Sequence, residues 1–477
     1  MIVFGPGVND PTTTKIRKET TGKSFASSPG SPEKLDDSIR ERAPLRKKKN
    51  GLSRLRDLVY DKHMMKEKDF VREASRAGGA VYIVGGSVRD SLRGASPKDR
   101  DYVVCGLSED VFCRLFPDAF KTGRAFPVYR LSIDGESREV AFARSETKTG
   151  RGYGGFTPRF SPETTIEEDL RRRDTTMNSI ARALPSGTLI DPFGGARDIE
   201  KRVIRATSEH FSDDPVRALR AARQAAQFDF SIEPGTLARM RACREEIRLE
   251  PGERLANELD AALATERPSV FFRILLDAGL LDATYPEIYA LVGKSQPPEH
   301  HPEGDAFRHS MQVLDRAARL STRNEVRFAA LVHDIGKGRT PDDLLPRHIG
   351  HEKRGIEALD AFCRRIPLPN RWTACASFAI REHMRAQTLE QPAKITDLIV
   401  RLLRHPIGFD GFSAVLRADH ESLPAYLEHV DRLREAIDAI DGRDAPKELA
   451  GAEIGAWVRA RRIDAVRRIL NRRTDHG

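Results

Sequence analysis

Two aspartates, Asp99 and Asp101, stand one residue apart, just downstream of the run V-Y-I-V-G-G-S-V-R-D from Val81 to Asp90. If D-R-D-Y-V-V is a strand, its period of two puts both carboxylates on one face. A carboxylate pair beside a flexible glycine turn can hold Mg2+ over a nucleoside triphosphate. Gly85 and Gly86 let backbone N–H groups approach phosphate oxygens. The helix start that follows adds favourable charge, and Arg89 can clamp a phosphate. Glu139, on a later strand, is the candidate third carboxylate, with Glu136 and Glu146 near it. Alone, G-G is an ordinary tight turn and D-x-D a solvated strand edge. An apolar strand, two glycines, a helix start and D-x-D before V-V fit neither of those readings comfortably.

A second set of chemistry-bearing residues follows much later. The run H-P-E-G-D-A-F-R-H-S-M-Q-V-L (His301 to Leu314) precedes R-F-A-A-L-V-H-D-I-G-K-G. His309, His333 and Asp334 can ligate one divalent ion, completed by a later aspartate; imidazoles with carboxylates suit a transition metal or Mg2+. A lone histidine would be structural. A His-Asp pair ending an apolar helix is costly to bury without partners.

The elements that must position these groups read as follows. Residues 1–50 are rich in Pro, Gly, Ser, Thr and charge and end in Arg46 to Lys49, so a disordered basic arm is expected. It is either an RNA-phosphate contact or, more simply, a solvated tail. Residues 51–79 connect. Residues 80–205 mix strands and helices: V-Y-I-V and D-Y-V-V are strands and E-D-V-F-C-R-L-F a helix. A hairpin turns at Asp134-Gly135, a glycine-rich loop runs from Thr147 to Pro158, and a charged helix begins near Thr165. Beyond 208 nearly everything has helical spacing. The last stretch, 426–477, includes a helix with Ile, Trp, Val and Ile on one side and arginines elsewhere.

The run V-G-G-S-V-R-D followed by D-R-D-Y-V-V resembles the head of class II tRNA nucleotidyltransferases and bacterial poly(A) polymerases, in the polymerase-beta-like superfamily. E-E-D-L-R-R-R-D-T-T-M-N-S-I (Glu167 to Ile180) and D-P-F-G-G-A-R-D-I (Asp191 to Ile199) are similar to two further motifs of that family. D-D-P-V-R-A-L-R-A-A-R (Asp213 to Arg223) is similar to its nucleotide-selecting motif, with Asp213 where the family usually has Glu. The resemblance spans roughly 80–290. The block after 300 resembles an HD phosphohydrolase domain of the kind fused to bacterial CCA-adding enzymes.

The resemblance implies an α+β protein: a nucleotidyltransferase head with a mixed sheet (80–205), a helical neck and body (206–295), a helical HD domain (296–425) and the C-terminal segment. Asp99 and Asp101 would hold Mg2+, and Glu139 stays the candidate third catalytic carboxylate. Gly86, Arg89, Arg172, Arg173, Asp174 and Asn178 would bind the nucleotide, with Arg220 and Arg223 in the same role. Asp214 and Arg217 would pair with the incoming base. Three apart on a helix they share a face, and an aspartate accepting from the exocyclic amine of C or A with an arginine donating to a ring acceptor discriminates against G and U. Taken alone, the same spacing is more often a surface ion pair. Asp191, Gly194 and Gly195 read as a structural turn. In the HD block, Asp419 matches the late aspartate. His348, His351 and His383 are further candidates, for a site holding Mg2+, Ni2+ or Mn2+.

The implied activity is addition of C, C and A to tRNA 3′ ends from CTP and ATP, with hydrolysis of phosphomonoesters and 2′,3′-cyclic phosphates at the HD site. A poly(A) polymerase, an enzyme adding only A or only C, and an RNA-binding protein with dead sites are the alternatives. The HD block weakens the first, and the presence of every expected acid and arginine weakens the last. The whole chain is compatible: 477 residues call for two to four domains. No stretch suits a membrane span or an exported leader. Five scattered cysteines without C-x-x-C suit a reducing cytoplasm. A net charge of +9 suits a polyanionic partner. Monomer and homodimer stay equally open.

Overall fold

The computed structural model describes residues 65–97, 99–122, 127–150, 155–299, 303–420 and 423–471. The basic arm and Tyr153 of the glycine-rich loop lie outside the described residues. The first strand, β1 (Ala80–Val84), pairs antiparallel on one side with β2 (Asp101–Cys105) and on the other with β8 (Ala181–Leu184). With β3 (Phe120–Lys121), β4 (Val128–Ile133), β5 (Glu136–Phe142) and β9 (Leu189–Ile190), these form a seven-stranded sheet of order β3-β4-β5-β2-β1-β8-β9. The β2–β5 pair is parallel and the others antiparallel, so the sheet is mixed.

Both faces of its centre are covered, which is why V-Y-I-V and D-Y-V-V read as nearly continuous apolar runs. Tyr102, Val104, Tyr129 and Phe142 pack with Phe70, Phe112 and Phe116 from two helices, Glu67–Arg76 and Glu109–Leu115. Val84, Val103 and Ala181 pack on the opposite face with Ile166 and Leu170. The β4–β5 turn has positive φ at both Asp134 and Gly135, the geometry a two-residue hairpin needs.

Three details differ from the sequence expectations. The β1–β2 ladder starts at Val84↔Asp101, because β1 ends there at the glycine turn; Asp99 lies in the coil before the strand. The segment 147–158 is not simply a loop. Its flanks belong to β6 (Arg144–Lys148) and β7 (Phe156–Phe160), a separate two-stranded ribbon. The helix near Thr165 is short, Ile166–Arg171, and ends before Asp174; Asn178 closes a separate 3-10 turn, Thr176–Asn178. Thr165 and Glu168 form a reciprocal capping box at its start.

From Val216 onward the described chain is mainly helical. The core of the sheet continues through Val216–Phe228, Gly252–Leu263 and Ser269–Asp277 into Phe328, Phe362 and Trp372. A second core gathers Val326, Phe378, Leu398, Phe412 and Leu433, and Val466 of the last helix, Ala452–Asn471, is buried in it. Arg459 of that helix pairs with Asp397 at 2.8 Å, so it packs on its neighbours as well as presenting arginines outward. No helix among the described residues is long and apolar enough to cross a membrane.

Candidate functional site

The carboxyl end of β1 opens into a cavity of about 850 Å³. Gly85 has φ of +69°, reached without strain by glycine. A Cβ there would come 3.3 Å from Arg173 Nη1, so the missing side chain also leaves room for the guanidinium. Asp101 lines the cavity, and its register partner across the parallel pair is Glu139, which lines it too. Burial, then the like charge of Glu139, push the Asp101 carboxyl above its usual range, with Arg173 opposing. Two neighbouring carboxylates in that condition are a cation-binding arrangement. Asp99 is exposed outside the ladder and does not line the cavity. Glu136 is exposed and pairs with Arg138. Arg130 contacts Glu139 at 3.2 Å.

The same cavity is lined by arginines held by buried acids. Asp169 is fully buried. Its Oδ1 accepts from Arg172 (2.6 Å) and its Oδ2 from Arg173 (2.8 Å). Burial alone would raise this carboxyl, but the charges of Arg173 and Arg172 hold it at about 2. Asp174 accepts from the Asn178 amide (3.0 Å), the Gln224 amide (3.1 Å) and Arg220 (3.0 Å). Against its burial, the Arg220 charge and hydrogen bonds from Asn178 and the Thr175 N–H hold it too at about 2. Arg89 donates to Asn178 Oδ1 at 2.7 Å. Arg223 lines the same cavity and pairs with Glu258 at 2.7 Å.

Asp214 and Arg217 both line the cavity, by a different route from the one expected. The helix begins at Val216 behind Pro215, and Asp214 precedes it with extended backbone. Arg254 holds Asp214 at 2.8 Å, while Arg217 donates to the His210 carbonyl and contacts Glu146 at 3.3 Å. The sequence reading missed Asp169, Gln224 and Arg254, and left Glu146 only as a neighbour of Glu139. Asp169 had a signal: it lies three and four residues before Arg172 and Arg173, helical spacing for a shared anchor. Gln224 and Arg254 meet their partners only through tertiary packing. Asp191, as expected of a turn, accepts from the Gly195 and Ala196 N–H groups and caps the next helix.

A second cluster is buried among the helices after 306. His309, His333, Asp334, His351, His383 and Asp419 converge there, all but Asp419 under 9% exposed and its side chain at 4%. His309 Nε2 is 3.0 Å from Asp419 Oδ1, and His333 Nε2 is 3.3 Å from Asp334 Oδ2. His333 Nε2 and Asp334 Oδ1 are buried without a hydrogen-bond partner. Burial opposes charge on His333, but Asp334 and Asp419 raise it to about 10. The site draws positive charge, and its imidazole and carboxylate donors fit a divalent metal. His348 is excluded from the cluster. Its Nδ1 meets the Thr340 hydroxyl at 2.8 Å and its Nε2 the Ser295 carbonyl at 3.0 Å, so both nitrogens are engaged by the protein. Lys337, three residues after Asp334, contacts Asp334 Oδ2 at 2.6 Å and was not anticipated.

The sequence matches three families: "Poly A polymerase head domain" over 81–205, "Probable RNA and SrmB- binding site of polymerase A" over 229–291, and "HD domain" over 306–445. Head, helical body and second cluster thus define a nucleotidyltransferase of the poly(A) polymerase head class joined to an HD domain. A Multifunctional CCA protein of Methylococcus capsulatus is 42% identical over 409 residues, covering 82% of this chain and 95% of the relative. The chain belongs to the multifunctional CCA protein family. Its fold is similar to that of the Bacillus stearothermophilus CCA-adding enzyme in complex with CTP (TM-score 0.58, 23% identity, 84% of this chain and 91% of that one). It is also similar to a tRNA nucleotidyltransferase complexed with a primer tRNA and an incoming ATP analog (TM-score 0.53, 21% identity, 77% and 98%).

Proposed function

We propose that this chain adds C, C and A to the 3′ end of cytoplasmic tRNA from CTP and ATP, without a nucleic-acid template. The observation that carries the reading is a single cavity lined by Asp101 and Glu139 together with anchored arginines. Phosphoryl transfer needs little covalent help from a protein and much positioning and charge neutralisation. Arg172 and Arg173, fixed by Asp169, are placed to grip triphosphate oxygens. Asp174 is largely engaged by Asn178, Gln224 and Arg220, so its part is to hold those groups in place. Asp101 and Glu139, with Asp99 brought in from its coil, would hold Mg2+. When bound, that ion lowers the pKa of the attacking 3′-hydroxyl and neutralises the leaving pyrophosphate.

Asp214, oriented by Arg254, is the acceptor for the exocyclic amine of C or A, and Arg217 is the donor beside it. Where A and C carry that amine, G and U carry a carbonyl oxygen, which would leave a desolvated carboxylate facing an acceptor and costs about 1–3 kcal/mol or more. The relatives named Multifunctional CCA protein support tRNA as acceptor over a general RNA. The HD cluster, through His309, His333, Asp334 and Asp419, would hold a divalent metal and hydrolyse phosphomonoesters or 2′,3′-cyclic phosphates. A metal held there would supply an activated water at neutral pH.

The test offers tRNA lacking its CCA end with CTP alone, ATP alone and both. Growth that stops after two C and one A is the expected result, and long A tails without CTP would refute it. D101A should lower incorporation by a factor of about 10³ or more, as expected for loss of a metal-holding carboxylate.

A further inference from the structure

We propose that the cleft between the helices Asn370–Gln387 and Pro392–Arg404 binds a nucleoside monophosphate, with its phosphate on Arg381 and Arg404 and its base against the His405 ring.

The cleft is a cavity of about 510 Å³ that shares no lining residue with the cavity of the head. Phe378, Arg381 and Glu382 line it from the first helix, three and four residues apart and so on one face. His383 follows Arg381 by two residues, about 200° round the helix, so it turns away from the cleft and into the histidine–aspartate cluster. Arg401 and Arg404 line the cleft from the second helix, and Arg401 joins the two by donating to Glu382 at 2.7 Å.

The charge here is unbalanced. Among the described residues lining the cavity, Glu382 is the one carboxylate against three arginines. It is buried and already holds two guanidiniums, Arg401 and, at 3.0 Å, Arg385. Arg381 and Arg404 are exposed, and among the described residues neither has a hydrogen bond, ion pair or ring contact. His405 adds a third donor. Its Nδ1 accepts from the Ile407 N–H at 3.2 Å, so in the neutral ring Nε2 carries the proton. Burial, then the Arg401 charge, lower the His405 pKa, which keeps the ring neutral near pH 7. Two guanidinium forks and an imidazole N–H in one cavity suit phosphate oxygens. A phosphomonoester carries about −1.5 to −2 at pH 7, matching two unpaired guanidiniums, whereas each phosphodiester of a strand carries a single charge.

The rest of the cavity indicates what the phosphate is attached to. A bare phosphate would leave most of the space empty, while cavities of about 300–1,000 Å³ enclose whole small molecules. Ala374, Phe378 and Val400 give apolar walls. The Phe378 ring backs His405, with centroids 4.5 Å apart at 36°, and the Arg401 guanidinium lies 5.7 Å from the Phe378 centroid. Aromatic rings and guanidinium planes are the surfaces on which a nucleobase stacks.

The test irradiates the full chain with 8-azidoadenosine 5′-monophosphate and locates the crosslinks by peptide mass spectrometry, so that labelling in the head, at the cluster and in the cleft is read separately. The parent should be labelled on peptides carrying Phe378 or His405, and adenosine monophosphate should protect them. R381Q/R404Q should reduce that labelling by a factor of about ten or more, as two charge-assisted bonds are lost, while tRNA extension persists. No labelling in the cleft, or protection by adenosine as strong as by its monophosphate, overturns the site. Protection by inorganic phosphate as strong as by the monophosphate overturns the nucleotide in favour of a bare anion. Protection by tRNA but not by the monophosphate overturns it in favour of an RNA strand. Should the double variant unfold, the comparison of adenosine with its monophosphate on the parent decides alone.

Discussion

Asp169 never faces solvent, yet it sets the geometry of the arginine wall, one guanidinium on each oxygen. Asp169→Asn keeps the shape and removes the charge, and one oxygen becomes an amide that cannot accept from a guanidinium. Misplacing a positioned group by about 1 Å costs roughly 100-fold, so kcat/KM for CTP and ATP should fall by about that factor. Steady-state kinetics on truncated tRNA checks this. The same residue predicts an acid response. Its folded value of about 2 lies below the ordinary 3.8, so its contribution to stability is complete above pH ~4 and is lost as pH falls towards 2. By linkage this amounts to about 2 kcal/mol. Urea unfolding at several acid pH values should show that loss in the parent and not in D169N. A slope equal in both would refute the assignment. Asp169 lies inside the Glu167 to Ile180 motif, but only its helical offset from Arg172 and Arg173 hints at this anchoring part.

At the scale of elements, much was legible in the sequence and the failures have physical causes. V-Y-I-V, D-Y-V-V and the Asp134-Gly135 hairpin could be read because apolar runs and turn chemistry are local signals. The ribbon of β6 and β7 could not, since R-S-E-T-K is exposed or half-exposed along its length and carries no alternation. The start of the helix at Val216 depends on Pro215, which disfavours helical backbone at Asp214. H-D-I-G-K identified the cluster, but not the reason for its glycine. Gly336 lies in the 3-10 turn Ile335–Arg339, where a Cβ would overlap the His351 carbonyl oxygen and crowd Gly355. Both belong to the helix His351–Arg365, whose first residue enters the cluster. Gly336→Ala should therefore push that helix away from Asp334. Overpacking of this kind costs about 1–3 kcal/mol. The expected signature is a lower melting temperature and weaker Mn2+ binding at the cluster, with tRNA extension retained at low temperature. Unchanged metal binding would show that the turn has slack.

Across the whole molecule, the head and the helices after 306 share one continuous core, so a single residue can tie them together. Arg327 is 6% exposed, and among the described residues its hydrogen bonds go to carbonyls rather than carboxylates. Its guanidinium instead donates to the Leu263 and Thr265 carbonyls, at the end of Gly252–Leu263, and to the Ala318 and Ser321 carbonyls, at the end of Ala306–Leu320. Two helices thus end on one cation, where their orphan carbonyls and dipoles favour positive charge. Arg327→Met keeps the aliphatic packing and removes the donors, leaving buried carbonyls unsatisfied. The cost should be about 3 kcal/mol, the upper range for hydrogen bonds to a charged group. Because the lost contact joins the body to the second helical region, it belongs to neither active site. On heating, R327M should lose tRNA extension and phosphatase activity together, at a temperature well below the parent's. D334N should lose only the phosphatase and D101A only the extension. Differential scanning calorimetry with both assays on the same samples decides it: two activities failing at separate temperatures in R327M would mean that the halves unfold independently and that Arg327 stabilises only one of them.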